Sequence, residues 1–183
     1  MSGSLIKIDE FTVSSAVASI TIGGGSSGSS GLNASIDSTY DVYVLIYSGV
    51  AGNSSANGRI RFTESGTANT TANYDEASQN LRSGASFSQT ATQNATSFTS
   101  DWNVNAGTEG GTQNIHYIFN ASNSSEFTFI SNEQTGLGVT TNGAMSFTGG
   151  GTFTVASAVD GVNYFMDVGS IDSGKFALFG LKK

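Results

Sequence analysis

Three sets of side chains in this 183-residue chain carry chemistry worth testing. His116 is the only histidine and cysteine is absent, so a Ser-His-acid triad or an imidazole metal site must use this one ring. Two-histidine and thiolate metal sites are excluded. His116 stands between Ile115 and Tyr117 in an alternating pattern that turns it to the opposite face from both, where it reads as a hydrogen-bonded or solvent-facing strand histidine. The second set is the run Asp101-Trp-Asn-Val-Asn-Ala-Gly-Thr-Glu109. Asp101, Asn103, Asn105 and Glu109 offer hard oxygens much as a calcium loop does, which makes calcium the one cofactor candidate. An EF-hand loop places Gly sixth and a bidentate Glu twelfth, and here those positions are Ala106 and Thr112. The competing reading is an Asn-rich turn with Trp102 as a core or interface anchor. Trp102 is also the candidate binding residue, an indole among polar groups that suits stacking on a sugar ring.

The third set is paired carboxylates, the requirement for glycoside hydrolysis: Asp75 with Glu76, Asp37 with Asp41, and Asp167 with Asp172. Sequence neighbours on a strand or turn seldom face each other across a sugar, and turn capping accounts for Asp37 and Asp172. Gly23-x-Gly-x-x-Gly28 formally matches a dinucleotide fingerprint, and Gly24-Gly-Ser-Ser-Gly28 a nucleophile elbow. Each needs a helix directly afterwards, and Ser-Ser-Gly does not start one. No catalytic residue is assigned, and the chain reads as non-enzymatic.

The elements that must position these groups are strands. Six of the twelve Phe are followed directly by Thr, which sets a large apolar and a β-branched polar side chain on opposite faces with period two. Alternating runs at 5–13, 17–22, 40–47, 59–63, 115–120, 126–131, 144–147, 152–156, 162–168 and 175–181 are separated by Gly, Asn, Ser and Asp clusters. They predict an all-β fold, an antiparallel β-sandwich (jelly-roll-like) of about ten short strands in a single domain over 1–183. Residues 73–82 have early acids and a late Arg, which fits either a short helix or a mobile loop. The polar stretch 66–97 reads as a surface region and a candidate variable tip. The Gly/Ser run at 23–31 is either a loop within one sandwich, the favoured reading, or a hinge that frees residues 1–22 as an N-terminal arm or ribbon. Gly149, Gly150 and Gly151 read as a hairpin turn or bulge.

Seven basic against fourteen acidic residues give a formal charge of −7, which argues against a nucleic-acid partner. No apolar run approaches the ~20 residues that span a bilayer, so no membrane insertion is expected. Met1-Ser-Gly-Ser lacks a basic and apolar leader, which predicts synthesis in the cytoplasm of the cell that makes it.

Two blocks carry a family likeness. Gly169-Ser-Ile-Asp-Ser-Gly-Lys-Phe-Ala-Leu-Phe-Gly-Leu181 is a tight turn feeding a strand that ends aromatic-Gly-Leu, and Ile36-Asp-Ser-Thr-Tyr-Asp-Val-Tyr-Val-Leu-Ile-Tyr47 is a corner leading into an aromatic strand. Both resemble segments of small β-sandwich proteins of tailed bacteriophages, especially marine ones, described as tail-fibre or virion structural proteins. The resemblance implies location on a virion made in the host cytoplasm and contacts with other virion proteins. It further implies assembly as a homo-oligomer, with a trimer as one guess, and contact with a host surface glycan. A tail or fibre position and a capsid decoration role both fit it, while a carbohydrate-binding module is the rival from another class.

Overall fold

The computed structural model describes residues 4–24, 35–84, 87–104, 111–137 and 143–182. Among them there is no helix, and thirteen strands, numbered in chain order, form two antiparallel sheets. The larger sheet runs β1 (Ser4–Val13), β13 (Ile171–Lys182), β3 (Val42–Gly52), β9 (Thr112–Phe119), β10 (Thr128–Leu137), β11 (Ala144–Phe153), β6 (Tyr74–Arg82) and β7 (Ser88–Ala95). The smaller runs β2 (Ser19–Gly23), β12 (Gly161–Met166), β4 (Ala56–Glu64) and β5 (Thr67–Ala68). β8 (Phe98–Val104) pairs with the first half of β4, on the edge that β5 occupies further along. The all-β antiparallel sandwich expected from period-two patterning is the fold, with thirteen strands in place of about ten.

Three local expectations are corrected. The candidate helix at 73–82 is strand β6, paired along its length with β11, because tertiary pairing overrides a weak dipole pattern with a thin apolar side. The stretch 66–97 contains β5, β6 and β7, so it is largely sheet and not a loop tip. Gly149, Gly150 and Gly151 lie inside β11, in continuous register with both β10 and β6. The triplet lets neighbouring atoms approach the backbone closely: a Cβ at 151 would lie 2.5 Å from both the Phe98 ring and the Asp75 carbonyl.

At the N-terminus, β1 pairs with β13 and β2 with β12. Of the Gly/Ser run, residues 25–31 lie outside the described residues.

Between the sheets the interior divides into two ends. At one end, Phe62, Tyr74, Phe98 and Phe153 pack edge-on and tilted at 4.9–5.7 Å between ring centroids. At the other, Tyr47, Tyr164 and Phe176 form a triangle with sides of 5.1–5.2 Å, and His116 lies 5.7 Å from Tyr47. Here the inward positions of β9 and β10 are polar: Thr112, Asn114 and His116, then Asn132 and Gln134, all buried. Apolar alternation cannot place such residues inside, so their partners must.

Candidate functional site

Those partners come from β8. Its pairing with β4 is irregular, shifting register around Gly58 and Asp101, and this turns consecutive residues Ser100 and Asp101 both into the interior. Gly58 is needed opposite them, since a Cβ there would collide with the Tyr164 hydroxyl and Asp101 Oδ2. Asp101 is fully buried. Its Oδ2 accepts from the Tyr47 hydroxyl at 2.5 Å and the Tyr164 hydroxyl at 2.8 Å, and its Oδ1 from Asn114 Nδ2 at 3.2 Å and Thr112 Oγ1 at 3.3 Å. Burial raises the carboxyl pKa, and these four donors oppose the rise. The same burial raises Tyr47 and Tyr164 well above the ordinary phenol, with the Asp101 charge adding to it.

Ser100 Oγ lies 2.9 Å from His116 Nε2 and makes a short contact with the Tyr47 hydroxyl. Serine, histidine and aspartate thus occur together, yet their order is wrong for a triad. Asp101 reaches the ring only through Tyr47 and Ser100, while Nδ1, where the orienting acid belongs, has no partner of hydrogen-bond geometry. Desolvation holds the imidazole near a pKa of 3, and the Ser131 backbone, a nearby dipole, opposes this only partly. The ring is 1 % exposed, so no substrate reaches it. Of the two readings of His116, the hydrogen-bonded one describes the structure.

The remaining candidates disperse. Asn103 donates its backbone N–H to Asn57 Oδ1 at 3.0 Å, and Asn105 and Glu109 lie outside the described residues. Asp101 faces hydrogen-bond donors, the opposite of what a cation requires, and no group of three or more His, Asp or Glu suited to a metal occurs among the described residues. Trp102 is half-buried and stacks on Phe147 with ring centroids 6.2 Å apart and planes 24° apart. Asp75 and Glu76, adjacent on β6, point to opposite faces. Glu76 turns inward to accept the Thr99 N–H at 2.5 Å and hydroxyl at 2.7 Å, and Asp75 turns outward to accept the Asn94 N–H at 2.8 Å. Asp37 caps its turn by accepting the Thr39 N–H at 2.8 Å, which holds its carboxyl below the usual range. The Tyr43 hydroxyl donates to the Asp37 carbonyl at 2.7 Å, and burial pushes that phenol up to about 12. Asp41 is exposed just before β3, Asp167 holds Asn57 and Arg59, and Asp172 accepts from Ser170 Oγ at 2.9 Å.

What residue-by-residue motif reading missed lies on the outward face of the larger sheet. Register puts Leu5 opposite Leu181 and runs Val42, Phe119 and Phe129 side by side across β3, β9 and β10. In the next row Phe179, Val44 and Tyr117 are neighbours. Leu5, Leu181, Tyr117, Phe119 and Phe129 are each 37–48 % exposed, so this is an apolar surface and not a second core. Beyond it, on β10, β11, β6 and β7, the face turns polar and small. The only signal in the sequence was the outward half of each alternating strand, readable once register is known.

No family model, no curated protein and no solved structure matches this chain.

Proposed function

We propose that this chain is a non-enzymatic structural protein on the surface of a tailed-phage virion, a tail- or fibre-associated β-sandwich that takes part in host contact. The observation that carries the proposal is the apolar row on the outward face of the larger sheet. Its inward face already supplies a complete core, so an additional aromatic row is surplus to folding and suits a neighbour in an assembly. The two segments that resemble phage virion proteins fold as paired strands: in β13 and β3, Phe176 faces Tyr47, Leu178 faces Leu45 and Gly180 faces Tyr43. Their outward side chains contribute the exposed Leu181 and the half-buried Phe179 and Val42 to that row, beside a buried Val44. A non-catalytic role agrees with a Ser100–His116 pair that is sealed, lacks an orienting acid and holds its histidine neutral. The protein needs no cofactor for such a role. Its partners are other virion proteins and further copies of itself, joined through the part of the apolar row on β1, β13 and β3.

Quantitative mass spectrometry of purified virions tests this. A copy number far below that of the major capsid protein is the expected result. A ratio near one, or a simple lattice fraction, would favour capsid decoration, and absence from particles would overturn the virion assignment.

A further inference from the structure

The polar half of the outward face contains a trough that crosses the strands. Register aligns Ser131 of β10, Gly150 of β11, Ala77 of β6 and Ala91 of β7 in one row, so the floor carries nothing larger than a hydroxymethyl group. The flanking rows stand taller. On one side Phe129, Thr152 and Asp75 are neighbours, and on the other Glu133, Thr148, Gln79 and Gln89. With strands about 4.8 Å apart, four strands give the trough a length of roughly 15–20 Å. Its deeper part, between Phe119 and Phe129 at one end and Gln93 at the other, is an open groove of about 830 Å³.

From this geometry we infer that the trough is a binding site for a neutral, extended oligosaccharide. Three features select that ligand class. The walls combine carboxylate, amide and hydroxyl groups with exposed phenyl rings at one end, the set that bonds sugar hydroxyls and stacks on a pyranose face. Neither the deep part nor its continuation along Gln79 and Gln89 is lined by Lys or Arg, while Asp75 lines the deep part and Glu133 stands in the wall; with a net charge of −7 this repels sulfated or phosphorylated chains. The trough also runs across the strands: β10, β11 and β6 are paired on both sides, and the open edge of β7 lies along the strand direction at the trough's far end, so a chain lying along the trough extends no sheet and is recognised by side chains. Asp75 already spends one oxygen on the Asn94 N–H, which fixes the carboxylate at the rim for a sugar hydroxyl.

The inference names the ligand class for the host contact proposed above and rests on that reading only for its biological setting. The purified full chain is applied to an array of neutral and sulfated oligosaccharides, and the best neutral binder is titrated calorimetrically. Saturable binding of a neutral oligosaccharide is expected. It should weaken at least tenfold in A91W, which fills the trough from an exposed position, and in F129A, which removes the end platform. Thermal melting confirms that both variants remain folded, and the two act at opposite ends of the site. Binding to none of the array, preference for sulfated chains, or neutral binding untouched by both variants would each overturn the inference. None of these results bears on virion copy number, so the site and the virion assignment fail separately.

Discussion

The two ends of the interior are built by opposite means between the same pair of sheets. At the aromatic end, Phe62, Phe98 and Phe153 exclude water by area and by edge-to-face packing, and a neighbour of similar volume would serve nearly as well; only the Tyr74 hydroxyl there is tied to particular atoms, the Phe62 N–H and the Asn69 carbonyl. At the polar end, Asp101, Tyr47, Tyr164, Asn114, Thr112, Ser100 and His116 satisfy one another through particular atoms. The lesson concerns tolerance: area is forgiving, whereas a buried network is worth little net and costs a great deal when one member is lost. The network also names which strands meet, since Asp101 of β8 accepts from β3, β9 and β12 at once.

The sharpest break of this contrast is Asp101→Ala. It removes the acceptor shared by two phenol hydroxyls, an amide and a threonine hydroxyl in a dry interior, of which the Tyr164 hydroxyl is left with only a weak contact to the Met166 sulfur, and a loss of about 3–5 kcal/mol is expected. Urea denaturation with the slope held in common measures it. A loss below about 1 kcal/mol would mean that the network contributes only volume and would remove the distinction between the ends.

Tyr47→Phe comes next, because it keeps the ring and deletes only the hydroxyl that donates to Asp101 and contacts Ser100 and His116. It should cost about 1–3 kcal/mol. Phe153→Leu at the aromatic end should cost less than about 1.5 kcal/mol, as a nearly volume-conserving apolar change. Equal losses from the two variants would contradict the contrast.

The ends differ in pH response too, and the sign follows from two opposed shifts. His116 is held near pKa 3 when folded and returns to about 6.5 when unfolded, so its contribution is fully present above 6.5 and is lost as pH falls toward 3. Asp101 is raised, so its contribution is present below the unfolded value of about 3.8 and is lost as pH rises through the folded value; acidification therefore offsets part of the histidine loss. His116→Gln removes the first effect alone. Its stability relative to the parent should improve on going from pH 7 to pH 4, by up to roughly 1.4 kcal/mol per pH unit below 6.5. A difference that stays constant over that range would show that the ring is not kept neutral.

How much of this was legible beforehand depends on where each strand's partners lie. β3 and β13 carry apolar and aromatic runs at 42–47 and 176–181, and β1 and the second half of β9 mix apolar with polar residues at short spacing, so strand composition revealed them. β7 reads Ser-Gln-Thr-Ala-Thr-Gln-Asn-Ala and is exposed along most of its length on both faces, so no apolar stripe marked it. β6 presents Asp75 outward and Glu76 inward, and the inward acid is tolerated only because Thr99, 23 residues later, donates to it twice. The Gly triplet in β11 resembles a turn until the Phe98 ring that leans on it is known. Asp101 looked like a calcium ligand for the same reason that it sits in the core: an oxygen-rich acid needs partners, and its phenol donors lie 54 and 63 positions away. Composition reports such residues as surface, and only topology brings the donors in.

The smallest expected effect separates the inner face from the outer one. Trp102 is the only tryptophan, so fluorescence reports on β8 alone. Its ring stacks on Phe147, an inward residue of β11, whereas the trough floor on the same strand is the outward Gly150. A neutral oligosaccharide that occupies the trough should therefore leave the emission maximum and acrylamide quenching of Trp102 almost unchanged. Trp102→Phe keeps an aromatic partner for Phe147 and should cost less than about 1.5 kcal/mol without weakening that ligand. If the ligand instead shifts the emission, or the variant loses binding, the sugar stacks on Trp102 as its sequence neighbourhood first suggested. The polar end of the interior would then open to solvent during binding, and the division between a sealed inner network and a working outer face would fail.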